Sequence, residues 1–273
     1  MDDVRVALVN AKRIVVKVGT STLTYDNGKV NFTRIDKLVR VLSDLLNQDR
    51  EVVLVSSGAI GVGVGKLKLK SKPVTVQEKQ AVAAVGQCEL MHIYSKFFSE
   101  YGHTVGQILL TRDVVEEEHT RHNVINTFEM LLKIGIVPIV NENDSVSIDE
   151  IEYGEKRVFG DNDTLSAIVA VLVKADLLIN LSDIDGFYDC DPKRNCNSHK
   201  LSIIHEITPQ IEMCAGGAGS RRGTGGMITK LSAAKLANAN NIDMVLASGS
   251  EPGVIVDIID GKDIGTLFTA KIT

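Results

Sequence analysis

The amino-acid sequence predicts an α/β fold in which helices cover both faces of a mainly parallel β-sheet. Short apolar runs rich in β-branched residues alternate with longer segments whose apolar residues recur at helical spacing. Strands of that composition are buried on both faces, which is typical of parallel sheets. Polar and glycine-rich clusters follow several of these runs, and that is where open α/β sheets bind ligands.

The apolar runs predict six strands, and the segments between them predict five helices. We expect the strands at 14–18, 52–55, 104–110, 136–140, 177–181 and 244–247. We expect the helices at 32–46, 76–98, 123–133, 165–173 and 227–240. Two polar stretches lack a core pattern: 145–159 is interpreted as a hairpin or flap, and 183–200 carries turn signals. Elements in this order build a largely parallel sheet.

Composition, charge and the pattern of cysteines and apolar runs exclude several classes of protein. The 273 residues are 44% hydrophobic and 24% charged, which predicts a buried core rather than disorder. A net charge of -5 without an extended basic stripe argues against nucleic-acid binding. The cysteines form no CxxC pair, the N-terminus lacks the basic start of a signal peptide, and no apolar run is long enough to span a membrane. We therefore expect a cytoplasmic protein with reduced thiols and no membrane association.

A lysine interrupts the first predicted strand. Lys17 stands among valines and an isoleucine, and a buried lysine needs an anionic partner. That partner is either a ligand or a carboxylate in a structural salt bridge, and this segment alone leaves both interpretations open.

The glycine-rich stretch 56–66 follows the second predicted strand but matches no nucleotide-binding motif. Ile60 stands where a Walker A motif needs glycine, and Leu67 stands where it needs Ser or Thr. Lys66 occupies the third glycine position of GxGxxG. Either the backbone of this stretch approaches a ligand, or the stretch is a plain strand–turn–helix connection.

Two acidic clusters lie at the ends of predicted elements. Residues 141–144, Asn-Glu-Asn-Asp, follow a strand and suit either a polar ligand or a solvated turn. Asp161, Asn162 and Asp163 open a predicted helix, whose capping needs only one such side chain. The remaining carboxylate is suited to holding Mg²⁺ through water or to orienting lysines.

A second glycine-rich loop, 216–226, leads into the predicted helix 227–240. Backbone N–H groups and the helix dipole make such a junction an anion site, with a flexible surface loop as the alternative. Lys230 lies about one turn into the helix, and helical side chains lean toward the N-terminus. Its ammonium can therefore reach a phosphate held there. Two lysines, a glycine-rich phosphate-binding loop and a pair of aspartates are the groups that phosphoryl transfer typically requires.

Six segments together resemble the amino acid kinase family over nearly the whole chain. They are KVGTSTLT (17–24), SSGAIGVG (56–63), NENDSV (141–146), FGDNDTLSA (159–167), LSDIDGFYDCDP (181–192) and GTGGMITK (223–230). The resemblance implies an αβα sandwich and one kinase domain over 1–273, with glutamate in its N-terminal part and the nucleotide in its C-terminal part. Many family members carry a C-terminal PUA domain, which is not expected here.

The resemblance also implies a role for each candidate site residue. Lys17 and Lys230 would be catalytic, stabilising the transferring phosphoryl group, and Asp163 would orient them. Asp161 would lie near Mg²⁺, in contact through water. The glutamate-binding residues would be Ser57, Asp144 and Asn162. The nucleotide-binding residues would be Ser182, Asp183, Gly223, Thr224, Gly225, Gly226 and Lys230.

The implied reaction is ATP-dependent phosphorylation of the side-chain carboxylate of L-glutamate to γ-glutamyl phosphate, the first step of proline biosynthesis. The implied cofactors are ATP and Mg²⁺. The implied partners are further copies of the chain in a homodimer or homotetramer, proline as a feedback inhibitor, and a glutamate-5-semialdehyde dehydrogenase that takes over the product. Two alternatives stay open: a sibling kinase acting on N-acetylglutamate, aspartate, carbamate or UMP, and a non-catalytic amino-acid or nucleotide sensor.

Overall fold

The structure is a computed structural model that describes residues 3–25, 28–146, 161–190, 198–215 and 226–270. Its strands are β1 (Arg13–Val18), β2 (Glu51–Ser56), β3 (Thr104–Leu110), β4 (Ile136–Glu142), β5 (Leu177–Ser182), β6 (Phe187–Tyr188), β7 (Lys200–Leu201), β8 (Ile203–Ile204), β9 (Asp243–Ser248) and β10 (Thr266–Phe268).

The helices lie between these strands. They are α1 (Asp3–Val6), α2 (Thr20–Leu23), α3 (Phe32–Asn47), α4 (Ala59–Leu67), α5 (Val76–Glu100), α6 (Arg112–Glu116), α7 (Glu118–Lys133), α8 (Asn162–Leu172), α9 (Pro209–Ala215), α10 (Met227–Ala239) and α11 (Val254–Ile259). A 3-10 turn, Ala7–Asn10, follows α1.

Eight strands form the central sheet in the order β3-β4-β2-β1-β5-β9-β10-β8. Neighbouring strands pair in parallel, except for the antiparallel pair of β9 and β10. The predicted mainly parallel sheet is therefore confirmed. The two halves of the chain divide the sheet between them, because β1 to β4 occupy one side and β5, β8, β9 and β10 occupy the other. β6 and β7 pair separately.

Helices cover both faces of the sheet, as an αβα sandwich requires. Successive strand residues point to opposite faces. In β1, Val16 belongs to a core shared with α3, α5 and α11, whereas Val15 belongs to a core shared with α7, α8 and α10. Lys17 follows the alternation and points toward α8 and α10. The face that this lysine meets is thus set by the period of the strand.

All six predicted strands are present, and the five predicted helices match described helices. The helix expected at 123–133 begins earlier, at Glu118, because its polar first turn carries no apolar signal. Among the described helices, none combines the length and the apolarity that a membrane crossing requires.

The glycine-rich stretch after β2 is mostly helix. Gly58 turns the chain with φ of 98°, and α4 begins at the next residue. α4 then packs closely on α5 through glycines: a Cβ at Gly63 would collide with the carbonyl oxygen of Val82, and one at Gly86 would collide with that of Ala59. Gly63 therefore serves the contact with α5, whereas Gly58 and Gly61 approach Thr20 and Gly65 approaches Gly28.

A methyl group at Gly86 should loosen the contact between α4 and α5. We expect Gly86→Ala to lower the free energy of unfolding by about 1 to 3 kcal/mol, because the new Cβ would overlap backbone that cannot rotate away. Denaturant unfolding measures the effect. Gly253→Ala is the matched control, since a Cβ there meets no atom within 4 Å. Equal stability of the two variants would contradict the proposed packing constraint.

Candidate active site

The carboxyl ends of five parallel strands meet at one edge of the sheet. β1, β2, β4, β5 and β9 run in the same direction, so the residues that follow them lie along that edge. Those residues are Gly19, Ser57, Asn143, Asp183 and Gly249. The polar clusters of the sequence thus gather where an α/β sheet binds ligands.

Asp163, in the first turn of α8, binds two lysines that are far apart in the sequence. Its Oδ1 lies 2.5 Å from Nζ of Lys17 on β1, and its Oδ2 lies 3.0 Å from Nζ of Lys230 in α10. The three residues are 0%, 6% and 5% exposed, in the order Asp163, Lys17, Lys230. The anionic partner that a buried Lys17 requires is therefore present within the fold.

Two further side chains complete the surroundings of this carboxylate. Asn180, which neighbours Lys17 across β1 and β5, donates from Nδ2 to Oδ1 of Asp163 at 2.9 Å. Thr229 donates from Oγ1 to Oδ2 at 3.1 Å. Neither residue was expected in the site. Asn180 had a signal of the same kind as Lys17, because it is a polar residue inside an apolar strand.

The surrounding charges fix the ionisation state of Asp163. Burial on its own would raise the pKa of this carboxyl group, but the charges of Lys17 and Lys230 outweigh it and lower the pKa to about 2. Asp163 is therefore a carboxylate at neutral pH. One carboxylate between two ammonium groups gives the trio an excess of positive charge, which suits an anionic ligand.

Asp161 caps α8 with one oxygen and keeps the other available. Its Oδ1 accepts from the backbone N–H of Asp163 at 3.2 Å. Its Oδ2 and Oδ1 of Asn162 are buried and lack a hydrogen-bond partner among the described residues. Burial, together with the negative charge of Asp163, raises the pKa of Asp161. The expected cap is thus made by Asp161, and the second carboxylate expected at the mouth of α8 is Asp163, which binds the two lysines.

These two oxygens fit an Mg²⁺ ion held largely by other ligands. In the described parts of the chain, no three His, Cys, Asp or Glu side chains are grouped as direct metal ligands. Mg²⁺ in phosphoryl-transfer sites is typically held by one or two carboxylates, waters and the phosphates of the substrate. Asp161, assisted by Asn162, is the residue that would hold it.

A cleft of about 380 Å³ opens between the end of β4 and helix α5. Asp144 lines it together with Glu142, Asn143 and Gln87. Burial, with the negative charge of Glu142 added, raises the pKa of Asp144 to about 7. A carboxylate with a raised pKa is stabilised when a cation binds beside it, so this cleft suits an ammonium group.

The other two predicted glutamate-binding residues lie outside the lining of this cleft. Ser57, directly after β2, donates from Oγ to the carbonyl oxygen of Val18 at 2.9 Å. Asn162 lies at the mouth of α8 beside Asp163. In the sheet order β4-β2-β1, Ser57 therefore stands between the Asp144 cleft and the lysines. Two strand spacings, roughly 10 Å, separate the ends of β4 and β1.

The predicted nucleotide-binding residues are described in part. Ser182 ends β5 and donates from Oγ to Oδ1 of the exposed Asp183 at 3.0 Å. Gly226 precedes α10, whose first turn has no side-chain cap, so the N–H groups of that turn are available to a ligand. The predicted residues Gly223, Thr224 and Gly225 lie outside the described residues, as do residues 147–159 of the predicted flap.

Comparison with known proteins identifies the family. The model of the amino acid kinase family matches residues 12–248. The chain belongs to the amino acid kinase family. Among its relatives in this family are proteins named glutamate 5-kinase. The one from Clostridium perfringens is 67% identical over 98% of both chains, and the one from Listeria monocytogenes is 59% identical over 98% of this chain and 96% of the relative.

Solved structures of more distant proteins share the fold. A carbamate kinase from Giardia lamblia bound to AMP-PNP has a TM-score of 0.67 and 15% identity, covering 96% of this chain and 100% of its own. A UMP kinase from Bacillus anthracis has a TM-score of 0.62 and 18% identity, covering 96% and 97%. At this identity the similarity concerns architecture alone, and it agrees with the sheet described above.

Neutralising Asp163 should destabilise this amino acid kinase fold. We expect Asp163→Asn to lower the free energy of unfolding at pH 7 by about 3 to 5 kcal/mol, because two buried ammonium groups lose their counter-charge. Asp185→Asn is the control: this exposed carboxylate lies 3.3 Å from Lys200, and its loss should cost less than about 1 kcal/mol.

The difference between wild type and Asp163→Asn should also depend on pH in a defined direction. The folded-state pKa of Asp163 is lowered, so its contribution is complete above the unfolded pKa of about 3.9. It is lost as the pH falls through about 2. Urea unfolding at several pH values should give a constant difference above pH ~5. A difference that grows in acid would be inconsistent with the lysine pairing.

Proposed function

We propose that this chain transfers the γ-phosphoryl group of ATP to the side-chain carboxylate of L-glutamate, giving γ-glutamyl phosphate and ADP, the first step of proline biosynthesis. The cluster of Lys17, Asp163 and Lys230 carries the proposal, because a buried, preorganised pair of ammonium groups is what this reaction needs. The choice of glutamate as the acceptor is supported by identities of 56% to 67% with proteins named glutamate 5-kinase.

The main obstacle to this reaction is electrostatic. A glutamate carboxylate must approach a triphosphate, and both are anions. Lys17 and Lys230 are fixed by Asp163 before any ligand binds, so they can stabilise the transferring phosphoryl group without further reorganisation. Charge neutralisation and positioning supply most of the catalysis in such transfers. Asp163 is then a positioning residue, and the lysines are the catalytic ones.

No general base is required. The side-chain carboxyl group of glutamate has an ordinary pKa of about 4.3, so the nucleophile is already ionised at neutral pH. Asp163 also makes a poor base, because the lysines lower its pKa to about 2. The site therefore suits a carboxylate acceptor better than a hydroxyl acceptor, from which a proton must be removed.

The acceptor spans the part of the edge between β4 and β1. Asp144 accepts hydrogen bonds from the α-ammonium group, and Ser57 and Asn162 bind the remainder of the amino acid closer to the lysines. The first turn of α4 offers backbone N–H groups to the α-carboxylate, since Gly58 supplies no side-chain cap there. This orientation directs the side-chain carboxylate toward Lys17.

The nucleotide binds on the other side of Lys17. Gly223, Thr224, Gly225 and Gly226 surround the phosphates before α10, and the pair of Ser182 and Asp183 contacts the nucleoside. Mg²⁺, which neutralises phosphate charge when bound, would be held by Asp161 through water.

The proposed location, oligomeric state, inhibitor and partner enzyme belong to the same reaction. The enzyme works in the cytoplasm as a homodimer or homotetramer, proline inhibits it as the end product, and a glutamate-5-semialdehyde dehydrogenase takes over the reactive acyl phosphate. A sibling kinase and a non-catalytic sensor are the competing functions. The identities favour glutamate over the acceptors of sibling kinases, and the intact Lys17, Asp163 and Lys230 favour catalysis.

Acyl phosphate trapping tests the proposed reaction. With Mg²⁺-ATP and hydroxylamine, we expect hydroxamate from L-glutamate with one ADP per product. We expect neither hydroxamate nor acceptor-dependent ADP from N-acetylglutamate, aspartate, carbamate or UMP. Lys17→Ala and Lys230→Ala should each lower kcat by at least ~10²-fold, the scale for one preorganised electrostatic contact. Nucleotide binding without turnover of glutamate would favour the sensor, and turnover of another acceptor would favour a sibling kinase.

The Asp144 cleft predicts a pH dependence of glutamate binding. The pKa of Asp144 is raised to about 7, and only its ionised form attracts the α-ammonium group. The KM for glutamate should therefore rise as the pH falls below about 7, approaching tenfold per unit. Asp144→Asn should raise this KM, remove its pH dependence and leave the KM for ATP nearly unchanged. Parallel rises of both KM values would be evidence against an acceptor role for Asp144.

A further inference from the structure

Gln87 of α5 is a buried side chain with an unused hydrogen-bond donor. It is 8% exposed, and its Oε1 accepts from Nδ2 of Asn141 at 2.9 Å. Asn141 is itself buried on β4, so this bond fixes the amide plane of Gln87. Nε2 of Gln87 is buried and has no hydrogen-bond partner among the described residues. A buried N–H group without a partner is destabilising, so its retention points to a ligand.

Gln87 lines the cleft that contains Asp144. Glu142 and Asp144, both of which carry carboxyl groups, line it as well. In the bond from Asn141, Oε1 of Gln87 is the acceptor, so its Nε2 is the group left for another partner. The neighbouring Gly86 packs against the carbonyl group of Ala59, so this part of α5 lies against the first turn of α4.

The cleft therefore combines the carboxyl groups of Glu142 and Asp144 with the neutral donor of Gln87. An α-amino acid presents an ammonium group and a carboxylate on the same carbon. Asp144 can accept from the ammonium group, whereas the carboxylate would be repelled by Asp144 and Glu142 unless a donor stood between them. In the described lining of the cleft, Gln87 is the side chain that combines burial, fixed orientation and free N–H groups.

We propose that Gln87 is a specificity-determining residue, which donates a hydrogen bond from Nε2 to the α-carboxylate of the amino-acid acceptor. This inference rests on the proposed function, since it assigns one group of the same substrate. The bond adds to the backbone N–H groups of α4, because a carboxylate accepts several hydrogen bonds. Gln87 would thus select α-amino acids over amines that carry only a terminal carboxylate.

Two truncated acceptors separate this role from a structural one. Glutarate keeps both carboxylates of glutamate and lacks the ammonium group. 4-Aminobutyrate keeps the ammonium group and the terminal carboxylate and lacks the α-carboxylate. The experiment measures the KM for glutamate and the competitive inhibition constants of both analogues, in wild type and in two variants. Gln87→Glu retains an oxygen that can accept from Asn141 and loses the donor, and Gln87→Met removes the amide without adding charge.

We expect both variants to raise the KM for glutamate and the inhibition constant of glutarate by about 10- to 100-fold, the value of a hydrogen bond to a charged group. The inhibition constant of 4-aminobutyrate should stay unchanged in Gln87→Met, and so should the KM for ATP. Gln77→Glu and Gln77→Met are the matched controls, since Gln77 is exposed in the first turn of the same helix. They should leave all four constants unchanged.

The alternatives give different results. Equal losses for all three acceptor ligands would show that Gln87 only holds β4 through Asn141, and unchanged constants would show that it does not touch the acceptor. Either result overturns the assignment of Gln87 while glutamate turnover by wild type still supports the proposed function. Absence of γ-glutamyl hydroxamate with the wild-type protein would instead overturn the proposed function itself.

Discussion

The carboxylate of Asp163 is the group on which the site depends. It joins Lys17 from the central strand, Lys230 from a late helix and Asn180 from the neighbouring strand, all within 3.0 Å. Removing three charges from water costs several kcal/mol for each ion, so the arrangement is tolerable only when every hydrogen bond is made. That requirement holds β1, α8 and α10 in one relative position, which in the proposed reaction presents two cations to a phosphate.

Much of this arrangement was accessible from the sequence. Apolar runs and helical spacing gave the strands and most helices, because burial on both faces leaves a clear pattern in a parallel sheet. Lys17 stood out because a charge in such a strand must be paired. The identity of its partner could not be predicted from the local sequence. Asp163 lies 146 positions away, and no local pattern encodes a contact across that distance. The family resemblance supplied it, and the geometry agrees.

Other features left no usable signal. The glycines after β2 are equally suited to approaching a ligand and to approaching other parts of the chain, and only the packed structure distinguishes the two. β8 and β10 have two and three residues, too few to show alternation. Gln87 occupies a buried position of the long helix α5. In the sequence alone, a polar residue within a helix is easily taken for a surface residue. Its significance depends on which of its atoms remain unbonded, and composition carries no information about that.

The position of Lys17 in a central strand has a consequence while the chain is being synthesised. β1 is made first and can pair with β2 early, but its other neighbour, β5, belongs to the second half of the sequence. Until that half leaves the ribosome, β1 presents an open edge of valines and isoleucine to the cell. Such edges recruit other chains, and an inward-pointing charge opposes this. Lys17 is such a charge, so the incomplete sheet is expected to associate less readily than one with an apolar residue at this position.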